Sequence, residues 1–349
     1  MTRFYNPNKL LNTLDRNDDK PEIYISISNR GAGKTYGFGK VLMEEYVLKG
    51  KKIGLLCRWQ RELGSVADGI FKALFNNEYP GYSIEEKVMQ RSVYAIIYLV
   101  KTEGEQKQKT IIGYVLPING SDNLKKISSI FYDVEVMFFD EFQADMYCPG
   151  EVDKFVNIHF TVARGNKDGV RFVPVILASN SLSIVNPYFI QLGLSTRIQS
   201  NTKMYRGDGF VLERFVNADV AQKQKESPFN RAFSKNRQTA SNIDNSWLND
   251  SWSCVEKPSG RGEYLFTLID DDLRYGVRIY ENPDGKFVYV NRSVDDTCKE
   301  IYNISENGVV NVPVIKSTPN LLLMRKAWLQ GKVLFSDIEV KDIMLKMLY

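Results

Sequence analysis

Residues 28 to 35 of this 349-residue chain read Ser-Asn-Arg-Gly-Ala-Gly-Lys-Thr and follow directly on the apolar run Ile23-Tyr24-Ile25-Ser26-Ile27. A short buried strand that breaks into a glycine-bearing loop and then a helix aims backbone N–H groups and the positive helix end at one spot, where a polyphosphate fits. The nucleotide-binding segment is therefore Ser28, Asn29, Arg30, Gly31, Ala32, Gly33, Lys34 and Thr35. Lys34 is placed to reach the β- and γ-phosphates of ATP, and the Thr35 hydroxyl to ligate the Mg2+ that bridges them. The general pattern is GxxxxGK[ST], and Ser28 stands where its first glycine belongs. The competing reading is an incidental glycine-rich turn.

Length and composition bound the rest. A chain this long suits one large α/β domain with a second, smaller one. Hydrophobic residues make up 43% and charged residues 25%, ordinary for a globular protein, and no apolar run approaches the roughly 20 residues of a membrane span. The first residues, Met1 to Pro7, lack a signal-peptide core, so the expectation is a cytosolic protein that is not secreted. Cys57, Cys148, Cys254 and Cys298 are scattered without C-x-x-C spacing, which argues against structural zinc and a disulfide framework. His159 is the only histidine and reads as a structural side chain. The net charge of +4 is mild, with its densest patch at Gln222–Gln238 (Lys223, Lys225, Arg231, Lys235 and Arg237 against Glu226). That patch suits either a polyanion partner or a solvated linker.

Apolar runs alternate with helical patterns through the first 200 residues. Strands are expected at Glu22–Ile27, Lys52–Cys57, Val93–Val100, Thr110–Ile118, Val134–Asp140 and Phe172–Ser179, and helices at Thr35–Leu48, near Glu62–Asn76 and around Val152–Ala163. This alternation predicts an α/β fold with a mostly parallel sheet, whose ligands gather at the carboxyl ends of the strands. Residues 201–245 loosen into a polar linker or small helical subdomain. Residues 246–349 turn β-rich, with Tyr264–Ile269, Tyr275–Tyr280 and Lys286–Val290 separated by Asp270-Asp271-Asp272 and Asn282-Pro283-Asp284-Gly285, an antiparallel meander closed by helical patterns at 320–330 and 337–349.

Hydrolysis needs more than a phosphate loop. The run Val134 to Asp140-Glu141 has the form of a Walker B strand, in which Asp140 holds Mg2+ through its water shell and Glu141 polarises the attacking water. Mere surface capping by an acidic pair is the alternative. Arg164, at the end of a predicted helix before Gly165-Asn166, suits a residue that reaches a neighbouring subunit's γ-phosphate, or a helix end favoured by the macrodipole. Ser179 and Asn180, at the tip of the next strand, suit a γ-phosphate sensor or a turn cap. Arg58 and Arg61, flanking Trp59 and Gln60, combine charge with an aromatic on a loop, in keeping with DNA phosphate contact or with a solvated loop.

The residues Phe4-Tyr5-Asn6-Pro7, Arg30-Gly31-Ala32-Gly33-Lys34-Thr35, Phe138-Phe139-Asp140-Glu141-Phe142 and Ser179-Asn180 followed by Val185-Asn186-Pro187-Tyr188-Phe189 resemble the DNA-packaging ATPases of the small, protein-primed φ29-like tailed phages, in order and spacing over nearly the whole chain. The resemblance implies a viral genome-packaging motor related to terminase large subunits. It implies an ASCE-type P-loop ATPase domain (1–200), a small helical linker domain (201–245) and a C-terminal α+β domain similar to an RNase H-like nuclease (246–349). It also implies a homopentameric ring that docks on the portal, or connector, of the prohead in the host cytoplasm and drives double-stranded DNA inward, with a packaging RNA in some members. Carried over, Lys34 and Thr35 match the nucleotide-binding pair, Asp140 and Glu141 the Walker B pair, and Arg164 an arginine acting in trans. Lys125 or Lys126 lies near where the family has a basic residue upstream of Walker B, and Gln60 stands where a relative carries a basic channel residue, with Arg58 and Arg61 as substitutes. Two-metal cleavage needs carboxylates converging from separate strands. Asp270, Asp271 and Asp272 share one turn and Asn307 to Lys316 adds no acidic partner, so the nuclease is expected to be inactive. The alternatives are a helicase or AAA-like ATPase on other nucleic acid, and a low-turnover nucleotide switch.

Overall fold

The computed structural model describes residues 5–164, 169–198, 201–247, 253–270, 273–283, 285–304 and 308–348. Phe4, Gly165, Asn166, Asp271, Asp272, Asp284 and Asn307, invoked above, lie outside them. In chain order the elements are α1 (Asn8–Leu11), β1 (Ile23–Ser28), α2 (Lys34–Lys49), β2 (Lys52–Cys57), α3 (Val66–Glu78), β3 (Tyr82–Met89), β4 (Tyr94–Glu103), β5 (Gln106–Pro117), α4 (Ser121–Lys125), β6 (Val134–Asp140), α5 (Glu151–Val162), β7 (Val175–Ser179), α6 (Pro187–Gln191), β8 (Met204–Arg206) and β9 (Phe210–Phe215). They continue with α7 (Ala218–Glu226), α8 (Pro228–Ala232), α9 (Arg237–Asp244), β10 (Glu263–Asp270), β11 (Leu273–Asn282), β12 (Gly285–Asn291), β13 (Ile301–Asn303), α10 (Pro319–Leu329), β14 (Val333–Phe335) and α11 (Ile338–Leu348). Residues 1–183 with 198–248 form one compact unit, and 184–197 with 249–349 a second.

The first unit is α/β. Its sheet runs β3-β4-β5-β2-β6-β7-β1-β9-β8, parallel from β5 through β9 and antiparallel at both edges. The central strands are near-continuous apolar runs because both faces are covered: Tyr24, Ile25, Ile27, Leu55, Phe138 and Leu177 are buried. Helix α3 buries Ala67, Ile70, Phe71, Leu74 and Phe75, one stripe at helical spacing. Helix α2 carries Gly37 where a Cβ would lie 2.7 Å from the Tyr5 carbonyl oxygen, so the incoming chain crosses this helix backbone to backbone. Strand β7 lies between β1 and β6, with Ser179 in register with Ile27 and Ala178 with Asp140. Three parallel strands thereby bring their carboxyl ends to one edge, beside the start of α2.

Three strands of this unit depart from the sequence expectation. The stretch expected as a linker supplies β8 and β9, and β9 pairs in parallel with β1. Its short apolar run Phe210-Val211-Leu212 is followed by Glu213, a charge hidden in the fold by the Tyr5 hydroxyl at 2.9 Å and Lys9 at 3.6 Å. Strand β3 was not expected at all: it is an edge strand with most side chains in water, so Glu85, Glu86 and Lys87 interrupt any apolar signal.

The second unit is α+β. Strands β10, β11 and β12 form the expected antiparallel meander, extended in parallel by β13 at one edge and β14 at the other. Phe266, Leu268, Val277, Val288 and Val290 share a core with Leu321 and Met324 of α10 and Val340 and Met344 of α11. The motif Asn186-Pro187-Tyr188-Phe189 has a plain physical basis: Asn186 caps α6, its side-chain oxygen accepting the Phe189 N–H at 3.0 Å, Pro187 takes the first helical position, and both aromatics are buried.

Candidate nucleotide-binding site

The turn from β1 into α2 is built by its glycines. Gly31 and Gly33 sit at φ +75° and +90°, a left-handed region open to glycine at little cost, and Gly33 caps α2. Ser28 is absent from the residues with positive φ, so no glycine is required there. Its hydroxyl has its own role: it accepts the Lys34 ammonium at 2.6 Å and donates to the Asn29 carbonyl at 3.0 Å. The departure from GxxxxGK[ST] thus costs the loop nothing.

A cavity of about 300 Å³ lies over this turn, lined by Arg30 to Thr35 together with Asp140, Glu141, Ser179 and Asn180. Lys34 is buried, and its ammonium also donates to Asn180 Oδ1 at 3.2 Å. Burial pushes its pKa down to about 8, against the opposing pull of Asp140 and Glu141. Thr35 Oγ1 donates to Asp140 Oδ2 at 2.6 Å. Burial raises the Asp140 carboxyl above its usual range, the strongest of several opposing influences. A desolvated carboxylate beside a hydroxyl at the start of a helix is a donor set suited to a hard cation such as Mg2+. The acceptors now holding Lys34 are ones that phosphate oxygens can replace.

Glu141 follows on the same turn with φ +54°, which points it away from the strand's alternation and leaves it exposed at the cavity. Arg58, from the end of β2, backs this turn: its Nη2 donates to the Phe142 carbonyl at 2.6 Å and its Nη1 to the Glu141 carbonyl at 3.5 Å.

All 349 residues match the family described as podovirus DNA encapsidation protein (Gp16). The chain belongs to this family. Relatives of similar length in Gp16 terms are the DNA packaging protein of Bacillus phage PZA, 25% identical over 97% of this chain and 95% of the relative, and that of Bacillus phage phi29, 24% identical with the same coverage. The fold is similar to that of a chain in the bacteriophage Phi-29 viral genome packaging motor assembly, with a TM-score of 0.66, 20% identity and 99% of each chain covered. It is also similar to a chain of the Phi-28 gp11 DNA packaging motor, with a TM-score of 0.58, 18% identity, and coverage of 100% of this chain and 98% of that one. DNA packaging is the function of this Gp16 family member.

The remaining expected site residues are distributed unequally. Asn29 is buried with its side chain engaged by Asn217, whose N–H it accepts at 2.9 Å, so it braces the loop rather than lining the cavity. Ser179 lines the cavity while its hydroxyl donates to the Asn180 carbonyl at 2.8 Å. Arg58 corrects an expectation: it is 8% exposed and paired at 2.9 Å with buried Glu151, so it stands inside the fold and not on a DNA-facing surface. Arg61 is exposed and lies over the Trp59 ring at 5.6 Å. Lys125 and Lys126 are exposed at the end of α4, and Arg164 is exposed just beyond α5; none of the three lines the cavity. His159 lies beside the Val173 carbonyl at 3.0 Å. Sequence reasoning missed Gln224 and Asn242, which fasten the phosphate loop from α7 and α9: Gln224 Nε2 donates to the Arg30 carbonyl at 3.0 Å and the Arg30 N–H to the Asn242 carbonyl at 2.9 Å. Their only signal was lying in a stretch rich in amides. No helix among the described residues is long and apolar enough to cross a membrane.

Proposed function

We propose that this chain is the ATPase of a DNA-packaging motor, hydrolysing Mg2+-ATP in the cavity over the β1–α2 turn and using the free energy to move double-stranded DNA. The observation that carries the reading is the 2.6 Å hydrogen bond between Thr35 and Asp140, with Lys34 and Asn180 in the same cavity. Bound Mg2+ supplies charge neutralisation on the β- and γ-phosphate oxygens, and Thr35 and Asp140 are the residues to hold it. Lys34 exchanges Ser28 for the phosphate oxygens. Glu141 orients and polarises water from its left-handed turn. Ser179 and Asn180 sense the γ-phosphate from the tip of β7. Arg164 acts on a neighbouring subunit's nucleotide, where its planar donors offset charge in the transition state.

In this reading the chains form a ring, a pentamer by resemblance, on the portal of the prohead in the host cytoplasm, with a packaging RNA as a further partner. Arg61, Lys125 and Lys126 are its exposed DNA contacts. The ATPase unit, the 201–245 segment and the C-terminal unit divide the work, and the C-terminal unit docks without cutting: plasmid incubated with the protein and Mg2+ or Mn2+ stays intact. Mixing Arg164→Ala with Glu141→Ala subunits tests the shared site. Each alone is inactive, and a mixed ring regains part of the phosphate release; no regain in intact mixed rings contradicts the trans role.

A further inference from the structure

We infer that a second cavity, walled by α7, α8 and α9 beside the phosphate loop, is the seat of the nucleotide's base, making the amide-rich segment 218–244 the part of the chain that binds the base of a nucleoside triphosphate. The inference rests on the reading that residues 28–35 hold a triphosphate. The cavity measures about 530 Å³, within the range of small-molecule sites. Arg30 lines both it and the phosphate cavity, so a single ligand with its polyphosphate over α2 and its base among α7–α9 spans the two.

The lining chemistry is that of a heterocycle site. Phe229 and Phe233 pack with centroids 4.9 Å apart and remain 71% and 51% exposed, leaving aromatic surface for a planar ring. Around them stand neutral amides, and among the described residues Arg30 is the one charged side chain of the lining. The nearby cations Lys223, Lys225, Arg231 and Lys235 do not line it, which sets the cavity apart from a track for a phosphate backbone. Gln224 adds a specific signal. Its Nε2 is committed to the Arg30 carbonyl, while its Oε1 is buried with no hydrogen-bond partner, an unsatisfied acceptor in the cavity wall. The walls are also fastened to the loop at Arg30 from both α7 and α9, so filling this cavity bears directly on the loop that carries the phosphates.

Calorimetric titration of the full chain in Mg2+ with ATP and with inorganic tripolyphosphate separates the base from the phosphates. The double variant Phe229→Ala/Phe233→Ala is expected to lose about tenfold or more in ATP affinity, the scale of base–aromatic stacking, while its tripolyphosphate affinity stays at the wild-type value. Lys34→Ala loses both. Unchanged ATP affinity in the double variant overturns the inference, and if the same variant is then impaired in self-association, the phenylalanines belong to a subunit interface. Failure of the wild-type chain to bind either ligand strikes the triphosphate reading itself. Photolabelling of the wild-type chain with 8-azido-ATP is an independent check that needs no variant: label within residues 224–243 supports the site, and label confined elsewhere contradicts it.

Discussion

The Thr35 hydroxyl and the Asp140 carboxylate, 105 residues apart in sequence, meet at 2.6 Å, joining the first turn of α2 to the carboxyl end of β6. The contact exists because β7 is inserted between β1 and β6, and all three strands end at one edge of the sheet. Asp140→Asn keeps a hydrogen-bonding partner for Thr35 and removes the charge. Steady-state phosphate release by this variant is expected to fall about 100-fold or more, because the proposed metal role makes several kcal/mol of charge stabilisation depend on that carboxylate. Activity within a few-fold of wild type contradicts the assignment.

Glu141 holds a left-handed backbone conformation that a non-glycine residue adopts at a cost, and its own N–H donates to Asp140 Oδ1 at 3.1 Å. Glu141→Gln preserves the shape and removes the carboxylate proposed as the base. Its kcat is expected to drop by about 10²–10⁴ with nucleotide affinity unchanged, read by single-turnover hydrolysis beside equilibrium binding. A loss confined to affinity contradicts the role.

Arg58 makes the turn that carries Glu141 dependent on β2. Its guanidinium is buried, paired with Glu151, bonded to the Phe142 carbonyl and 5.3 Å from the Phe139 and Tyr147 rings. Arg58→Ala leaves Glu151 as a buried, uncompensated charge, a loss of about 3–5 kcal/mol in unfolding free energy. Denaturant titration measures this, and a change below about 1 kcal/mol, the scale of a surface pair, shows the site to be solvated. Arg58→Lys restores charge without the planar fork and recovers stability only in part.

Cys57 ends β2 next to Arg58 and is 4% exposed. Burial, aided by Glu62 and Glu86, pushes its thiol pKa well above the ordinary value of 9.0. The neutral thiol is therefore favoured in the folded state. That stabilisation is complete below about pH 9 and is lost as pH rises toward the folded-state value. At pH 8.5 the folded chain is expected to leave Cys57 unmodified by a thiol reagent while Cys254 and Cys298, both half-buried, react first. Peptide mapping of the labelled protein reads the order, and rapid Cys57 labelling contradicts the burial.

The edge that lines the cavity was legible in the sequence because it is written in local chemistry: glycines where φ is positive, an apolar strand ending in Asp140-Glu141, and a small polar pair at the tip of β7. Strands β2 and β6 fall on their expected residues for the same reason, since buried parallel strands are continuous apolar runs. What escaped depends on partners distant in sequence. Glu213 looks like a surface charge until Tyr5 is seen beside it, and Arg58 looks like a DNA contact until Glu151 closes over it. Strand β3, wet on most of its length, has no periodic signal to read. Gln224 and Asn242 hold the phosphate loop through one side-chain and one backbone group, which no residue type announces.

The central claim is that Lys34, Thr35 and Asp140 surround one Mg2+-triphosphate. An experimental structure of the chain with Mg2+ and a non-hydrolysable ATP analogue tests it most directly. The account predicts Mg2+ at the Thr35 hydroxyl with Asp140 in its shell, and the Lys34 ammonium moved from Ser28 onto the β- and γ-phosphates. An analogue bound elsewhere, or Lys34 still held by Ser28 with the analogue present, contradicts it.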